Sequence, residues 1–183
     1  MKRAFILVMP ILVVLVCYAP LSFAALDVFM KIDGIKGEAQ QKGHEGEIDV
    51  LDWSWGLSQS GTMHIGGGGG TGKAQVQDLS FTKWTDSATP DLINAVFKGN
   101  QFARVILTVS RADTQGSEYY KMTMEKVLVT SVSTGGSGGE DRLTETVTLN
   151  FANVCISYQP TNRDGSPASP IDTCWNIAEN MER

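Results

Sequence analysis

A single closed or nearly closed β-barrel with one helix on its flank is the fold class that this 183-residue chain predicts. Three observations carry that reading. About seven or eight segments alternate apolar and polar residues with period two and are joined by short connections. Helix signals coincide at one place beyond the N-terminal segment, between Thr89 and Gly99. No internal repeat, coiled coil or second-domain linker divides the remainder, and the length suffices for one domain with a substantial core.

The N-terminus reads as an export signal. Lys2-Arg3 precede an apolar run from Ala4 to about Tyr18, and Ser22-Phe23-Ala24 offers small residues where a signal peptidase reads. The expectation is cleavage between Ala24 and Ala25, dividing the chain into a signal peptide, 1–24, and one domain, 25–183, without a stable membrane anchor. The competing reading is an uncleaved anchor, since the apolar stretch approaches bilayer length, although Pro10 interrupts it. Cys17 is a poor lipoprotein site, because Val16 stands where a small residue is needed.

The elements follow in order. Val28, Met30 and Ile32 alternate with Phe29, Lys31 and Asp33 in a first strand ending at Gly34. Gly37 to Gly46, with Glu38, Lys42, His44 and Glu45, reads as a solvated connection. A second strand starts near Ile48, with Leu51, Trp53 and Trp55 predicted on one face as core or subunit contact.

A long glycine-rich arm then departs: Leu57, Ser58, Gln59 and Ser60, then Met63, His64 and Ile65, the five glycines Gly66, Gly67, Gly68, Gly69 and Gly70, and finally Lys73. Five glycines bury no apolar surface and lose much backbone entropy on ordering, so the arm is expected to order against a neighbouring subunit.

A third strand is predicted from about Ala74 to Trp84, followed by the helix. Thr89 is placed as its cap, Pro90 at the first position, Asp91 at the positive end of the dipole and Gly99 at the close. Leu92, Ile93, Val96 and Phe97 form an apolar stripe expected to pack on the barrel. Val105, Leu107 and Val109 pair in a hairpin with a strand carrying Tyr120, Met122 and Met124, continued by Leu128, Thr130 and Val132. A second glycine-rich loop holds Gly135, Gly136, Gly138, Gly139, Glu140 and Asp141.

In the strand after that loop the apolar positions change phase, from Leu143, Val147, Leu149 and Phe151 to Val154, Ile156 and Tyr158. A bulge near Asn153 is predicted to account for it. A last strand carries Trp175 and Ile177. Cys155 and Cys174 lie equidistant from the turn signal Asp164-Gly165, so that if Tyr158 and Asp172 flank this connection the last two strands could bring the sulfurs together across the sheet; two unpaired thiols in a reduced cytoplasm are the alternative. In an oxidising compartment they are expected to pair, contributing roughly 3 kcal/mol by the chain-entropy relation.

Several chemistries fall away. Gly67, Gly72 and Lys73 fit part of a phosphate loop, but Ala74 stands where a hydroxyl is needed and a strand follows instead of a helix. His44-Glu45-Gly46-Glu47 lacks a second histidine for a metal motif. Glu45, Glu47 and Asp49 are placed on one strand face, with Asp52 opposite, and no specific metal site is expected. Glu140 and Asp141 are adjacent on a flexible loop, which does not set the facing geometry of glycoside hydrolysis. Formal net charge is −5; removing Lys2 and Arg3 with the signal leaves 13 basic against 20 acidic residues, and no basic stripe suggests nucleic acid. The reading is therefore no enzyme and no cofactor.

The segments KIDGIKGEAQQKGHEGEIDVLDWSWGLSQSGTMHIGGGGGTGK, VQDLSFTKWTDSATPDL and VLVTSVSTGGSGGEDRLTETVTLNFANVCISYQP closely resemble the Hcp family, the haemolysin-coregulated tube proteins of bacterial type VI secretion. The resemblance runs from Leu26 to about Asn180. It implies a barrel subunit that forms homo-hexameric rings, which stack into a tube carrying or chaperoning effector proteins, with the arm taking part in stacking. Secretion-apparatus proteins and effectors are the implied partners. The signal segment departs from the family pattern and suggests a secreted or periplasmic protein of a Gram-negative bacterium, against a cytoplasmic one before type VI export. An exported ring acting as a carrier or virulence-related module outside the sheath is the alternative function.

Overall fold

A computed structural model describes residues 26–61, 73–111, 117–136, 138–139 and 141–183. The strands are β1 (Leu26–Ile32), β2 (Ile48–Ser54), β3 (Leu57–Ser58), β4 (Gln75–Val76), β5 (Leu79–Trp84), β6 (Gln101–Arg111), β7 (Ser117–Gly135), β8 (Thr144–Tyr158), β9 (Ile171–Asn176) and β10 (Met181–Glu182). One helix, α1 (Thr89–Lys98), joins β5 to β6. The large sheet runs in the order β10-β9-β8-β5-β2-β1-β6-β7, and β7 pairs again with β8. That last pairing closes a six-stranded barrel and leaves β9 and β10 as an extension beyond β8. Closure removes two sheet edges and encloses the core.

The alternation read from the sequence becomes the inner face. Met30, Ile32, Val105, Leu107, Met122, Leu149 and Phe81 are almost fully buried inside the barrel. On α1, Leu92 and Ala95 are buried, whereas Val96 and Phe97 are exposed, Phe97 to 83%. The predicted four-residue apolar stripe is thus half right, because a short helix lying on one flank covers only one narrow row. The capping residue also differs: Ala88 is the N-cap and Thr89 the first helical residue. The Thr89 hydroxyl still serves the helix start, accepting from the Asp86 backbone N–H at 3.2 Å, while Asp86 Oδ1 accepts from the Ala88 N–H at 2.9 Å. Gly99 closes α1 with φ 62°, as its position predicts.

Other expectations are corrected by the register. The third strand is two strands, since β4 belongs to a separate ladder and Gln77-Asp78 intervene before β5. In β2 the pairing with β5 shifts between Val50 and Asp52, so Leu51 bulges outward while Trp53 and Trp55 pack on the core. Because β2 begins at Ile48, Glu45 and Glu47 precede it and share no strand face with Asp49.

The phase change in β8 is present, but a bulge near Asn153 does not produce it. Pairing to β7 stays in step from Met124↔Val154 through Glu125↔Asn153 to Val127↔Phe151. Both strands change face together, and Lys126, between the last two rungs, takes φ 54°. For the same reason Val127 and Val129 point inward, and Leu128 and Thr130 are exposed.

The 37–46 connection is more than solvated loop. It folds back on the barrel, burying Ala39 and His44, and the His44 ring stacks on Phe29 with centroids 4.2 Å apart. His44 Nδ1 lies 2.9 Å from Glu47 Oε2. Gly37 makes the fold-back possible, since any Cβ there would overlap the Glu47 carbonyl.

Candidate assembly surfaces

The direction of the strands assigns each candidate surface to an end of the barrel. Thr144 of β8 pairs with Trp84 of β5, and Tyr158 at its other end pairs with Tyr120 of β7. One end therefore carries the second glycine-rich loop, the start of α1 and the two ends of the 33–47 connection, whose middle runs back along the barrel until His44 comes within 3.8 Å of Glu118. The opposite end carries the end of β6, the start of β7, the β8–β9 connection and the base of the arm.

The arm leaves as a narrow two-stranded ladder, Leu57↔Val76 and Ser58↔Gln75, braced by the Gln77 N–H donating to the Gly56 carbonyl at 2.9 Å. Leu57, Ser58, Gln59, Ser60 and Lys73 are exposed there. Met63, His64, Ile65 and the five glycines lie outside the described residues, as do Gly72, Glu140, Ala24 and Ala25. A two-residue ladder without buried side chains is weakly held by itself.

At the other end Gly135 ends β7, and Gly136 lies against Leu143, where a Cβ would overlap the leucine side chain. Gly138, Gly139 and Asp141 are exposed, and the Arg142 guanidinium stacks over Trp84 at 5.2 Å. The surfaces named from sequence are thus separated by the length of the barrel instead of forming one site.

The cysteines are brought together. Cys155 and Cys174 are direct partners on the β8–β9 ladder, with Cα atoms 4.0 Å apart and the sulfurs bonded at 2.09 Å. Their centre is the Asp164-Gly165 turn, where Gly165 takes φ 84° and its N–H donates to the Asn162 carbonyl at 3.0 Å.

Sequence reading missed two features. The first is an apolar groove of about 510 Å³ between the arm base and β9, walled by Trp55, Leu57, Val76, Val154, Ile156 and Trp175. The second is a buried charge network beneath α1. Lys83 and Glu145, both with fully buried side chains, meet at 2.8 Å, and Lys83 Nζ also reaches Asp86 Oδ1 at 2.6 Å and donates to the Trp84 carbonyl at 2.8 Å. The Thr89 hydroxyl donates to Glu145 Oε1 at 2.8 Å. A signal for this network existed: Lys83 continues the inward series Leu79, Phe81, and Glu145 begins the inward series Val147, Leu149.

Partial burial raises the Asp49 carboxyl above the usual aspartate range, aided by Asp86, Asp27 and Glu38 and opposed by Arg142. Among the described residues no group of three or more His, Cys, Asp or Glu is placed to hold a metal ion, and no helix is long and apolar enough to cross a membrane.

A family model described as type VI secretion system effector, Hcp, matches residues 29–158, which includes all six barrel strands in whole or in large part. The chain belongs to the Hcp family. It is 54% identical over 160 residues to Protein hcp1 of Pseudomonas aeruginosa, covering 86% of this chain and 99% of that protein. Solved structures agree. One described as a type six secretion system protein superposes with TM-score 0.82 at 30% identity, covering 87% of this chain and all of the other. The crystal structure of Hcp1 from Salmonella typhimurium gives TM-score 0.72 at 35% identity, covering 88% of this chain and all of that one. Hcp proteins are structural, ring-forming components of type VI secretion, and the fold described above is theirs.

Proposed function

We propose that this chain is a tube subunit of a type VI secretion apparatus, closing homo-hexameric rings that stack through the arm Leu57–Lys73 around a lumen for effector proteins. The observation that carries this reading is the match to Hcp across the barrel, joined to 54% identity over nearly the whole of a Pseudomonas Hcp1. The topology supports stacking in particular. The arm base and the loop Gly135–Asp141 lie at opposite ends of the barrel, so a head-to-tail stack brings one subunit's arm toward the next subunit's loop. Such a contact is heterologous and repeats without limit along one axis, as a tube requires. Glycines in both segments permit close backbone approach.

Deleting Gly66 to Gly70 tests the arm. The variant is expected to fold and to form single rings, while stacked tubes disappear from electron micrographs; tubes that persist at the wild-type frequency refute the assignment.

A second reading, export through the signal segment as a free-standing ring, is favoured by Lys2-Arg3 with its apolar run and by the opposed cysteines. Native mass spectrometry on cytoplasm, periplasm and medium separates the two. A hexamer of subunits starting at Ala25, each two hydrogens lighter than the dithiol and independent of the secretion apparatus, selects the exported ring. An uncleaved dithiol form in the cytoplasm selects the tube subunit.

A further inference from the structure

The bridged cysteines occupy a mechanically specific place. Cys155↔Cys174 is the rung between Val154↔Trp175 and Ile156↔Thr173, and all four flanking residues line the apolar groove. Side chains alternate along strands, so the bridge clamps the outer face of the three rungs whose inner face is the groove wall. Within the sheet β9 pairs only with β8 and β10, because the barrel closes without it.

Noncovalent attachment of this hairpin is thin. Neither β9 nor β10 contributes a buried residue; Ile171 is 65% exposed and Met181 53%. Its apolar anchors are Trp175 and Ile177, both only partly buried. The Arg183–Glu125 ion pair is solvent-exposed on both sides and holds weakly.

We propose that the Cys155–Cys174 bond is a redox latch: closed, it holds β9–β10 on β8 as a wall of the groove; opened by a dithiol reductant, it frees that hairpin and uncovers the groove while the six-stranded barrel persists. In the opening step a reductant thiolate attacks one cysteine sulfur. The S–S bond breaks, its electron pair leaves on the other cysteine, and that thiolate takes up a proton. The reductant's second thiol then displaces the first cysteine and closes the reductant's own disulfide. Two electrons and two protons pass to the protein. The two-state element is the β8–β9 ladder, and the bond biases it by limiting how far the free hairpin can roam. This device belongs to the subunit and is independent of ring stacking.

Hydrogen exchange on the full chain, with and without dithiothreitol, tests the latch. On reduction the amides of 171–176 are expected to exchange about 100-fold faster, matching the chain-entropy contribution of a bridge over this loop. The amides of β1 and β6 keep their protection. The Cys155→Ser/Cys174→Ser variant is expected to show the fast pattern in both conditions. Unchanged protection of 171–176 after complete reduction overturns the proposal, as does equal acceleration in every barrel strand, which makes the bond a global staple. Should the double variant fail to fold, the reduced native chain decides alone.

Discussion

Replacing Lys83 with Met asks whether the helix end of the barrel is held by buried charge. Lys83 Nζ is fully buried among four acceptors: Glu145 Oε1 at 2.8 Å, Asp86 Oδ1 at 2.6 Å, the Trp84 carbonyl at 2.8 Å and Thr89 Oγ1 at 3.2 Å. An ammonium has three hydrogens, so it is saturated here. Removing it leaves Glu145 without a cation in a site from which water is excluded, with Asp86 close by. Breaking one side of a buried pair costs about 3–5 kcal/mol. Glu145→Gln is milder, because Lys83 retains Asp86 as counter-charge; the loss there is about 1–3 kcal/mol, the cost of imperfectly satisfied buried groups. In Lys83→Met/Glu145→Leu the fully buried Glu145 charge is removed together with its cation, and Asp86, which loses Lys83, keeps the Ala88 N–H as donor. That double variant should be more stable than Lys83→Met alone. Urea unfolding of dissociated monomers measures all three. A loss below about 1 kcal/mol for Lys83→Met, or a double variant no more stable than Lys83→Met alone, refutes this account of the network.

Two further perturbations follow from local geometry. Gly37→Ala places a Cβ against the Glu47 carbonyl and should cost about 1–3 kcal/mol while exposing His44, read from the melting temperature together with the histidine's NMR line position. Asp49→Asn removes a carboxyl whose ionised form the fold disfavours. The raised value means that the native state is penalised as pH rises from about 4, the unfolded aspartate value, through the folded one. The substitution should therefore raise the denaturation midpoint at pH 7, by roughly 0.2–1 kcal/mol in free energy, and the gain should vanish below pH 4.

Legibility from sequence followed the physics of each signal. Period-two alternation in Val105 to Val109 and Val147 to Phe151 marks a buried face wherever it occurs, because successive side chains on a strand point oppositely. Gly99 ends α1 as read, since a left-handed residue after a helix favours glycine at any position in a fold. Phe97 was misread because helical spacing shows which residues share a face and not how wide a strip the barrel covers. Leu51 and Leu128 face outward because a bulge or a left-handed residue such as Lys126 reverses inside and outside up to the next register shift, which in β7 comes between Val129 and Ser131. Lys83 and Glu145 escaped notice for a related reason: charge at an inward position looks like an error until the partner strand supplies the opposite charge.

Local pattern and long continuous motifs were enough for the strand-rich class, the helix after Ala88, the family and the pairing partners about Asp164-Gly165. That β7 returns to β8 to close the barrel, that the base of the arm and the second glycine loop lie at opposite ends, and that the bridged rungs wall a groove beside Trp55 emerges only from the folded chain. Those are relations between residues far apart in the chain. They arise from which strand edges meet when the core is enclosed, and no local periodicity encodes that choice.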